Sequence, residues 1–130
     1  MNENYKNTIF LLERIPKLLP DYFAIITAYN PMDRQLSKVE NKKLNNALLK
    51  KIENFNEEII PIIGSSLDLT HQEPSYLVKV ALNKGIETAQ FFNQRAIFWA
   101  KYDKLYLIDC SSREKTPIGS FSERMKLLDV

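Results

Sequence analysis

The chain has 130 residues, so we expect a single domain over residues 1–130, with a core from about 20 to 110 and a tail over 111–130. A hydrophobic fraction of 45% and a charged fraction of 26% exclude a disordered or fibrous chain. The net charge of +2, with acids and bases interspersed, does not favour nucleic acid as a partner.

The first two predicted elements are a short helix and a strand. The helix is expected over residues 7–15, where apolar residues recur at helical spacing before Pro16 ends it. The stretch 23–31, FAIITAYNP, then has the β-branched and aromatic residues of a strand, and it ends in the turn chemistry of Asn30 and Pro31. We expect this stretch to provide the first strand of the sheet.

The clearest helix follows that strand. Ser37 and Glu40 form an S-x-x-E capping box, which is typical of a helix start. From Leu44 to Phe55 apolar residues recur every three to four positions, and lysines occupy the other faces. Lysines on the outer face of an amphipathic helix are ordinarily its solvated side, so they do not indicate a nucleic-acid site.

Two strands are predicted next. Residues 58–63, EIIPII, read as the second strand, and Pro61 places it at a sheet edge because proline cannot donate to a ladder. A polar loop through Pro74 leads to the third strand, residues 75–80, in which Tyr76 and Val78 alternate with other residues.

The last predicted elements are a helix and a hairpin. The helix covers residues 84–93, with Asn83 as its N-cap. Strands over 94–101 and 105–110 are joined by a tight turn. The polar tail is expected to end in a short helical turn around residues 122–128.

The central elements follow the order strand, helix, strand, strand, helix, strand. This is the split β-α-β order of ferredoxin-like folds, in which both helices pack on one face of an antiparallel sheet. We therefore predict an α+β, ferredoxin-like sandwich, extended by an N-terminal helix and an extra C-terminal strand.

In this topology one rim of the sheet collects polar residues from five separate parts of the chain. They are Asn30, Glu40, Asn41, Ser65, His71, Glu73 and Gln94. Amides with one carboxylate are suited to hydrogen-bonding a polar ligand, which makes this rim a candidate site. The structural alternative is that these side chains are turn residues, helix caps and partners for loose backbone groups at strand ends.

Few residues favour metal or covalent chemistry. Cys110 is the only cysteine, which excludes an intramolecular disulfide and a multi-cysteine zinc site and fits a reducing compartment. His71 and Glu73 match the H-x-E half of the zinc deaminase signature, but the P-C-x-x-C half is absent. We find no phosphate-binding glycine motif, membrane-length apolar run or signal-peptide core. We therefore expect no metal, no cofactor, no membrane partner and a cytoplasmic location.

Five short motifs resemble one family. They are TAYNP at 27–31, EN at 40–41, IIGSS at 62–66, EPSYLV at 73–78 and FFNQRAIFW at 91–99. In this order they are similar to a bacterial family known only as domain of unknown function 3293, over about residues 20–110. The resemblance implies that Asn30, Asn41, Glu73 and Gln94 recur in that family, and it implies no activity.

Three hypotheses for function remain open. The first is a binding or regulatory module whose rim holds a small polar ligand or a protein partner. The second is a small hydrolase-like enzyme with Glu73 as general base and with Asn30, Asn41 and Gln94 orienting the substrate. An enzymatic Glu73 should lie in a cleft with a raised pKa, whereas a structural or binding Glu73 should be saturated by hydrogen bonds. The third is a homodimer formed through a sheet edge or through the apolar sheet face that the helices leave uncovered.

Overall fold

The computed structural model describes residues 3–128, which form one eight-stranded sheet and two α-helices. The strands are β1 (Ile9–Leu12), β2 (Tyr22–Ile26), β3 (Ile59–Ser65), β4 (Gln72–Val78), β5 (Ala96–Lys101), β6 (Lys104–Asp109), β7 (Lys115–Ser120) and β8 (Met125–Leu127). The helices are α1 (Lys38–Glu53) and α2 (Leu82–Phe91), and three short 3-10 turns cover Glu3–Asn7, Pro31–Asp33 and Ser122–Arg124.

The predicted ferredoxin-like sandwich is wrong, because the sheet is larger and mixed. Its strand order is β7-β6-β5-β2-β4-β3-β1-β8. Neighbouring strands are antiparallel except for β1 and β8, which are parallel. The two ends of the chain cause the difference, since the predicted N-terminal helix is a 3-10 turn followed by β1 and the polar tail supplies β7 and β8.

The segment predicted as an N-terminal helix forms strand β1 instead, and its apolar side chains pack on both faces of the sheet. Phe10 and Leu12 are buried in a core on one face of the sheet, and Leu11 is buried on the other face. A run of four apolar residues carries no periodicity that separates a strand from a helix. The sheet partner β3 decides the conformation of this segment.

The prediction that β3 lies at a sheet edge is also wrong. This strand lies between β4 and β1, and β1 pairs only with residues 63–65 of it. Pro61 belongs to the part of β3 that β1 does not reach, so its missing N–H costs no hydrogen bond on that side.

The predicted start of α1 is confirmed. The Ser37 hydroxyl accepts from the backbone N–H of Glu40, and the Glu40 carboxylate accepts from the backbone N–H of Ser37. Helix α2 begins earlier than predicted, with Ala81 as its N-cap instead of Asn83. The first long strand, β2, ends at Ile26, well before Asn30.

The sheet is curled so that its two edges approach each other. Strand β7 lies at one edge and β8 at the other, yet only five positions separate Ser120 from Met125. That length of chain reaches at most roughly 18 Å. A flat sheet of eight strands would separate its outer strands by roughly 34 Å. The contact between Phe10 on β1 and Phe98 on β5, with ring centroids 5.1 Å apart, lies across the concave face.

Two cores lie on the two faces of this sheet. The convex face packs under α1 and α2, through residues such as Leu48 and Ile86. The concave face encloses a second cluster around Phe10, Phe23 and Phe121. The apolar face that was expected to be uncovered is therefore filled by the curl of the sheet and by the C-terminal segment.

Candidate functional site

The amide of Asn41 ties the loop after β2 to helix α1. Its Oδ1 accepts from the backbone N–H of Asn30 at 2.8 Å, and its Nδ2 donates to Asn30 Oδ1 at 2.8 Å. Asn30 Oδ1 also accepts from the backbone N–H of Leu36 at 3.0 Å. Asn41 is buried and lies one turn before Asn45 on the same helix face. The side-chain amides of Asn30 and Asn41 therefore both form hydrogen bonds within the protein.

Asn45 extends the same network to β4. Its Oδ1 accepts from the backbone N–H of Ala28 at 2.8 Å, and its Nδ2 donates to the carbonyl of Pro74 at 2.8 Å. The Thr27 hydroxyl donates to the same carbonyl at 2.8 Å. These bonds replace the ladder at the point where β2 has ended and the chain turns away. The network therefore holds the end of β2 against β4 and α1.

Gln94 and the turn Pro31–Asp33 close the opposite side of the rim. Gln94 Nε2 donates to the carbonyl of Tyr29 at 3.0 Å, and the backbone N–H of Met32 donates to the carbonyl of Asn93 at 2.8 Å. Within this segment Asn30, Met32 and Asp33 have φ values of 46°, 52° and 61°. Left-handed conformations are unfavourable for non-glycine residues, above all for a long side chain such as Met32.

This strained turn presents Asp33 to two side chains from distant parts of the chain. The Tyr5 hydroxyl donates to Asp33 Oδ1 at 3.0 Å, and Arg95 Nε lies 3.1 Å from Asp33 Oδ2. Burial and the hydrogen bond to Asp33 raise the pKa of Tyr5 well above its ordinary value, so its hydroxyl stays protonated. The carboxylate of Asp33 thus has a partner on each oxygen.

Glu73 lies close to Tyr5, Asp33 and Arg95, but its carboxyl group is not paired with any of them. It is on the same face of β4 as Leu77, which places it at the end of the concave core. Its carboxyl group has no hydrogen bond and no ion pair to any residue that the structure describes, and its oxygens keep some contact with solvent. Burial, followed by the charge of Asp33, raises the pKa of Glu73 from 4.5 to about 7. We call Tyr5, Asp33, Glu73 and Arg95 the Glu73 cluster.

The remaining predicted rim residues serve local structure. Glu40 is half of the capping box of α1, and the Ser65 hydroxyl donates to the carbonyl of Ser66 at 2.8 Å. His71 is exposed in the turn between β3 and β4, where its backbone pairs with Ser66. The structure records no contact between the imidazole and the Glu73 cluster. No metal-binding group of three or more His, Cys, Asp and Glu side chains occurs in the described part of the chain.

Several residues of the site were not predicted from the sequence. Asn45 had a detectable signal, because a polar residue at four positions from Asn41 and three from Leu48 lies in the buried stripe of α1. Asp33, Arg95 and Tyr5 had none, since the contacts that join them form only when the N-terminal 3-10 turn, the turn after β2 and the residue before β5 come together.

Comparison with known proteins adds one finding. The model of the family described as protein of unknown function (DUF3293) matches residues 26–97. This is more than half of the chain. The chain belongs to this family. The DUF3293 match runs from the end of β2 into β5 and includes Asn30, Asn41, Glu73 and Gln94 but not Tyr5. Neither a curated protein nor a solved structure matches the chain.

Neither helix in the described residues is long and apolar enough to cross a membrane.

Proposed function

We propose that this DUF3293 domain is a binding module and that its ligand occupies the Glu73 cluster. The observation that carries this proposal is the carboxyl group of Glu73, which is partly buried and has no partner in the described residues. Partial burial of a carboxylate without a hydrogen bond or counter-charge costs free energy, because the group loses part of its hydration. A ligand that brings a hydrogen-bond donor or a positive charge to Glu73 would offset that cost, which favours binding of such a ligand at this carboxyl group.

The backbone next to Asp33 supports the proposal. Three of the four residues 30–33 adopt left-handed conformations without being glycine. Asn30 and Asp33 are residue types that tolerate this conformation, whereas Met32 is strained in it. Such strain persists only where the surrounding structure imposes it. Here the hydrogen bonds from Asn41 and to Asn93 hold the turn in place, and the consequence is that Asp33 faces Tyr5, Arg95 and the charge of Glu73. The asparagine network thus acts as scaffold for the site.

The charges of the cluster define a class of ligand. Asp33 is already paired with Arg95, so Glu73 provides the uncompensated negative charge above pH 7. A small ligand with an ammonium or guanidinium group would form a charge-assisted hydrogen bond with Glu73. Tyr5, whose ring meets Phe98 at a centroid distance of 6.5 Å, supplies an aromatic wall next to that carboxyl group.

A thermal-shift measurement at pH 8 tests this function. The probes are putrescine, agmatine, arginine and ethanolamine, added separately to wild type, Glu73→Gln and Glu57→Gln. Glu57 is exposed, so its variant controls for loss of one surface charge. We expect at least one probe to raise the Tm of wild type and of the Glu57 variant, and to raise that of the Glu73 variant much less. Equal shifts in all three proteins, or no shift in wild type, would contradict the proposal.

One observation favours a second function, that of a small hydrolase-like enzyme. A carboxyl group with a pKa of about 7 is matched to general base catalysis at neutral pH. In this alternative Glu73 activates a water molecule and Arg95 and Tyr5 orient the substrate. Two clefts of about 260 and 160 Å³ are lined by other residues. Binding is the first proposal because the Glu73 cluster offers one unpaired carboxyl group and no second catalytic group beside it. Turnover of ester or amide substrates that Glu73→Gln abolishes would favour the enzyme.

A further inference from the structure

Three aromatic rings form a continuous row on the convex face of the sheet, away from the Glu73 cluster. Tyr22 on β2, Trp99 on β5 and Tyr106 on β6 lie on neighbouring strands. The ring centroids of Tyr22 and Trp99 are 6.4 Å apart, and those of Trp99 and Tyr106 are 6.3 Å apart. Successive planes are inclined by 36° and 35°. We call these three residues the aromatic row.

The row is rigid and partly open to solvent. Trp99 Nε1 donates to the carbonyl of Val80 at 3.1 Å, which fixes the indole between its neighbours. Trp99 itself is buried, with 8% of its surface exposed, and Tyr22 and Tyr106 on either side of it are half-buried. A cleft of about 260 Å³ lies beside the row, lined by Tyr22, Trp99 and Lys101 together with the residues that start α2. Helix α2 thus leaves this end of the convex face uncovered.

Four lysines surround the aromatic row. Lys79 Nζ lies 5.4 Å from the ring centroid of Tyr22, and Lys115 Nζ and Lys104 Nζ lie 4.6 and 5.6 Å from that of Tyr106. Lys101 lines the cleft. None of these ammonium groups forms an ion pair with any residue that the structure describes. The patch is therefore locally basic even though the whole chain carries a net charge of only +2.

We infer that the aromatic row and its four lysines form a binding surface for single-stranded nucleic acid. The half-buried rings of Tyr22 and Tyr106 offer stacking platforms for bases on either side of the buried Trp99. The unpaired lysines beside them would neutralise phosphates, and proteins that hold single strands combine these two features. A duplex hides its base faces, so it would use the lysines alone. On binding, each lysine would leave its ring for a phosphate and free that ring for a base. This surface is independent of the ligand proposed for Glu73.

The position of Trp99 provides a direct assay, because it is the only tryptophan of the chain. The probes are a 15-nucleotide oligothymidine, a duplex of equal length and inorganic polyphosphate. We expect the single strand to quench tryptophan fluorescence and to bind with a Kd on the order of 10⁻⁵ M at low salt. With three to four phosphates neutralised, the slope of log affinity against log salt should be about −2 to −3.

Two variants separate this surface from general attraction of a polyanion. The double variant Lys101→Glu, Lys104→Glu should weaken single-strand binding by about tenfold or more. Lys42→Glu, Lys43→Glu makes the same charge change on the exposed face of α1 and should leave binding close to that of wild type. Tyr106→Leu keeps an apolar contact with Trp99 but removes a stacking ring, so it should weaken binding about tenfold with little change in the salt slope.

Several results would overturn the inference. They are absence of quenching and binding by the single strand, equal loss of affinity in the two lysine double variants, or equal affinity for the duplex. Polyphosphate binding as tightly as the oligonucleotide, together with no effect of Tyr106→Leu, would show a simple cationic surface without base stacking. The substituted lysines and Tyr106 are exposed or half-buried, and circular dichroism of each variant confirms that a loss of binding is not a loss of fold.

Discussion

Glu73 should control how the stability of this domain depends on pH. Its pKa is raised in the folded protein to about 7 from an ordinary value of 4.5. The folded state therefore holds the proton more tightly than the unfolded state. Protonated Glu73 stabilises the fold below pH 4.5, and that stability is lost as the pH rises to 7 and is absent above it.

We expect Glu73→Gln to be more stable than wild type at pH 8, by about 1–3 kcal/mol, because the neutral amide avoids burying an unpaired charge. The difference should shrink as the pH falls from 7 towards 4.5. Urea unfolding of both proteins at several pH values measures it, with Glu57→Gln as the control for an exposed glutamate. A Glu73 variant that is less stable than wild type at every pH would show that the carboxylate has a partner.

Substitution of Asn41 should lower the stability of the domain, whereas substitution of Glu73 should raise it. Asn41→Ala leaves the backbone N–H of Asn30 without its acceptor, so we expect a loss of about 1–3 kcal/mol in the free energy of unfolding. Asn46→Ala on the exposed side of α1 is the matched control and should change stability by less than about 0.5 kcal/mol. Because alanine has a higher helix propensity than asparagine, propensity alone cannot lower the stability of either variant. A loss in Asn41→Ala no larger than that in Asn46→Ala would therefore mean that the network adds nothing to the free energy of unfolding.

Three residues of the predicted rim lie close together, and their side chains hold the fold. Asn30, Asn41 and Gln94 do converge, because strand ends and a helix start bring them together. Their side-chain amides form hydrogen bonds with backbone groups. The spacing of these residues in the sequence does not reveal those partners. Glu73 was named as well, yet its raised pKa depends on burial and on the charge of Asp33, which no spacing in the sequence reveals.

Secondary-structure elements with strong local signals were predictable, and those formed by pairing were not. Helix α1 has its capping box and a stripe from Leu44 to Phe55, so sequence alone defined it. Strand β1 is four apolar residues that fit either a strand or a helix turn. Strand β7 contains Pro117 and Gly119 and has no buried residue, so only its pairing with β6 makes it a strand.

The C-terminal segment is an integral part of the fold, and Phe121 tests this. Its ring is fully buried and lies 5.0 Å from that of Phe23 and 5.3 Å from that of Phe10. We expect Phe121→Ala to reduce the free energy of unfolding by about 3–5 kcal/mol, measured by urea unfolding. Leu127→Ala, at an exposed position of β8, should cost far less. A small effect of Phe121→Ala would mean that the tail is dispensable.

Arg124 explains how the tail closes the sheet. Its guanidinium donates to the carbonyls of Lys6 and Thr8 at 2.7 and 2.9 Å and to the carbonyl of Ile118 at 2.6 Å. One side chain thus joins the N-terminal segment to the chain that leaves β7. Because β7 and β8 form the two edges of the sheet, this link keeps the edges close together and so maintains the curl. The polar composition of the tail gave no sign of this role.

The curl of the sheet removes one of the two surfaces through which a homodimer was expected to form. A homodimer through an uncovered sheet face required an open apolar surface, and that face is filled by the second core. The two edge strands carry proline, lysine or few residues, which are features that discourage edge pairing. We predict a monomer of 15.2 kDa in size-exclusion chromatography with light scattering. A mass near twice that value, stable on dilution, would contradict this.

The most direct test of the Glu73 site is an NMR titration of its side-chain carboxyl carbon in the wild-type protein, assigned by comparison with Glu73→Gln. We expect a midpoint at a pH of about 7, because burial and the charge of Asp33 raise the pKa of this carboxyl group. We also expect that an amine which binds the cluster lowers that midpoint, since a cation favours the carboxylate. A midpoint close to 4.5 in the free protein would show that Glu73 is solvated or paired, and the proposed ligand site would lose its basis.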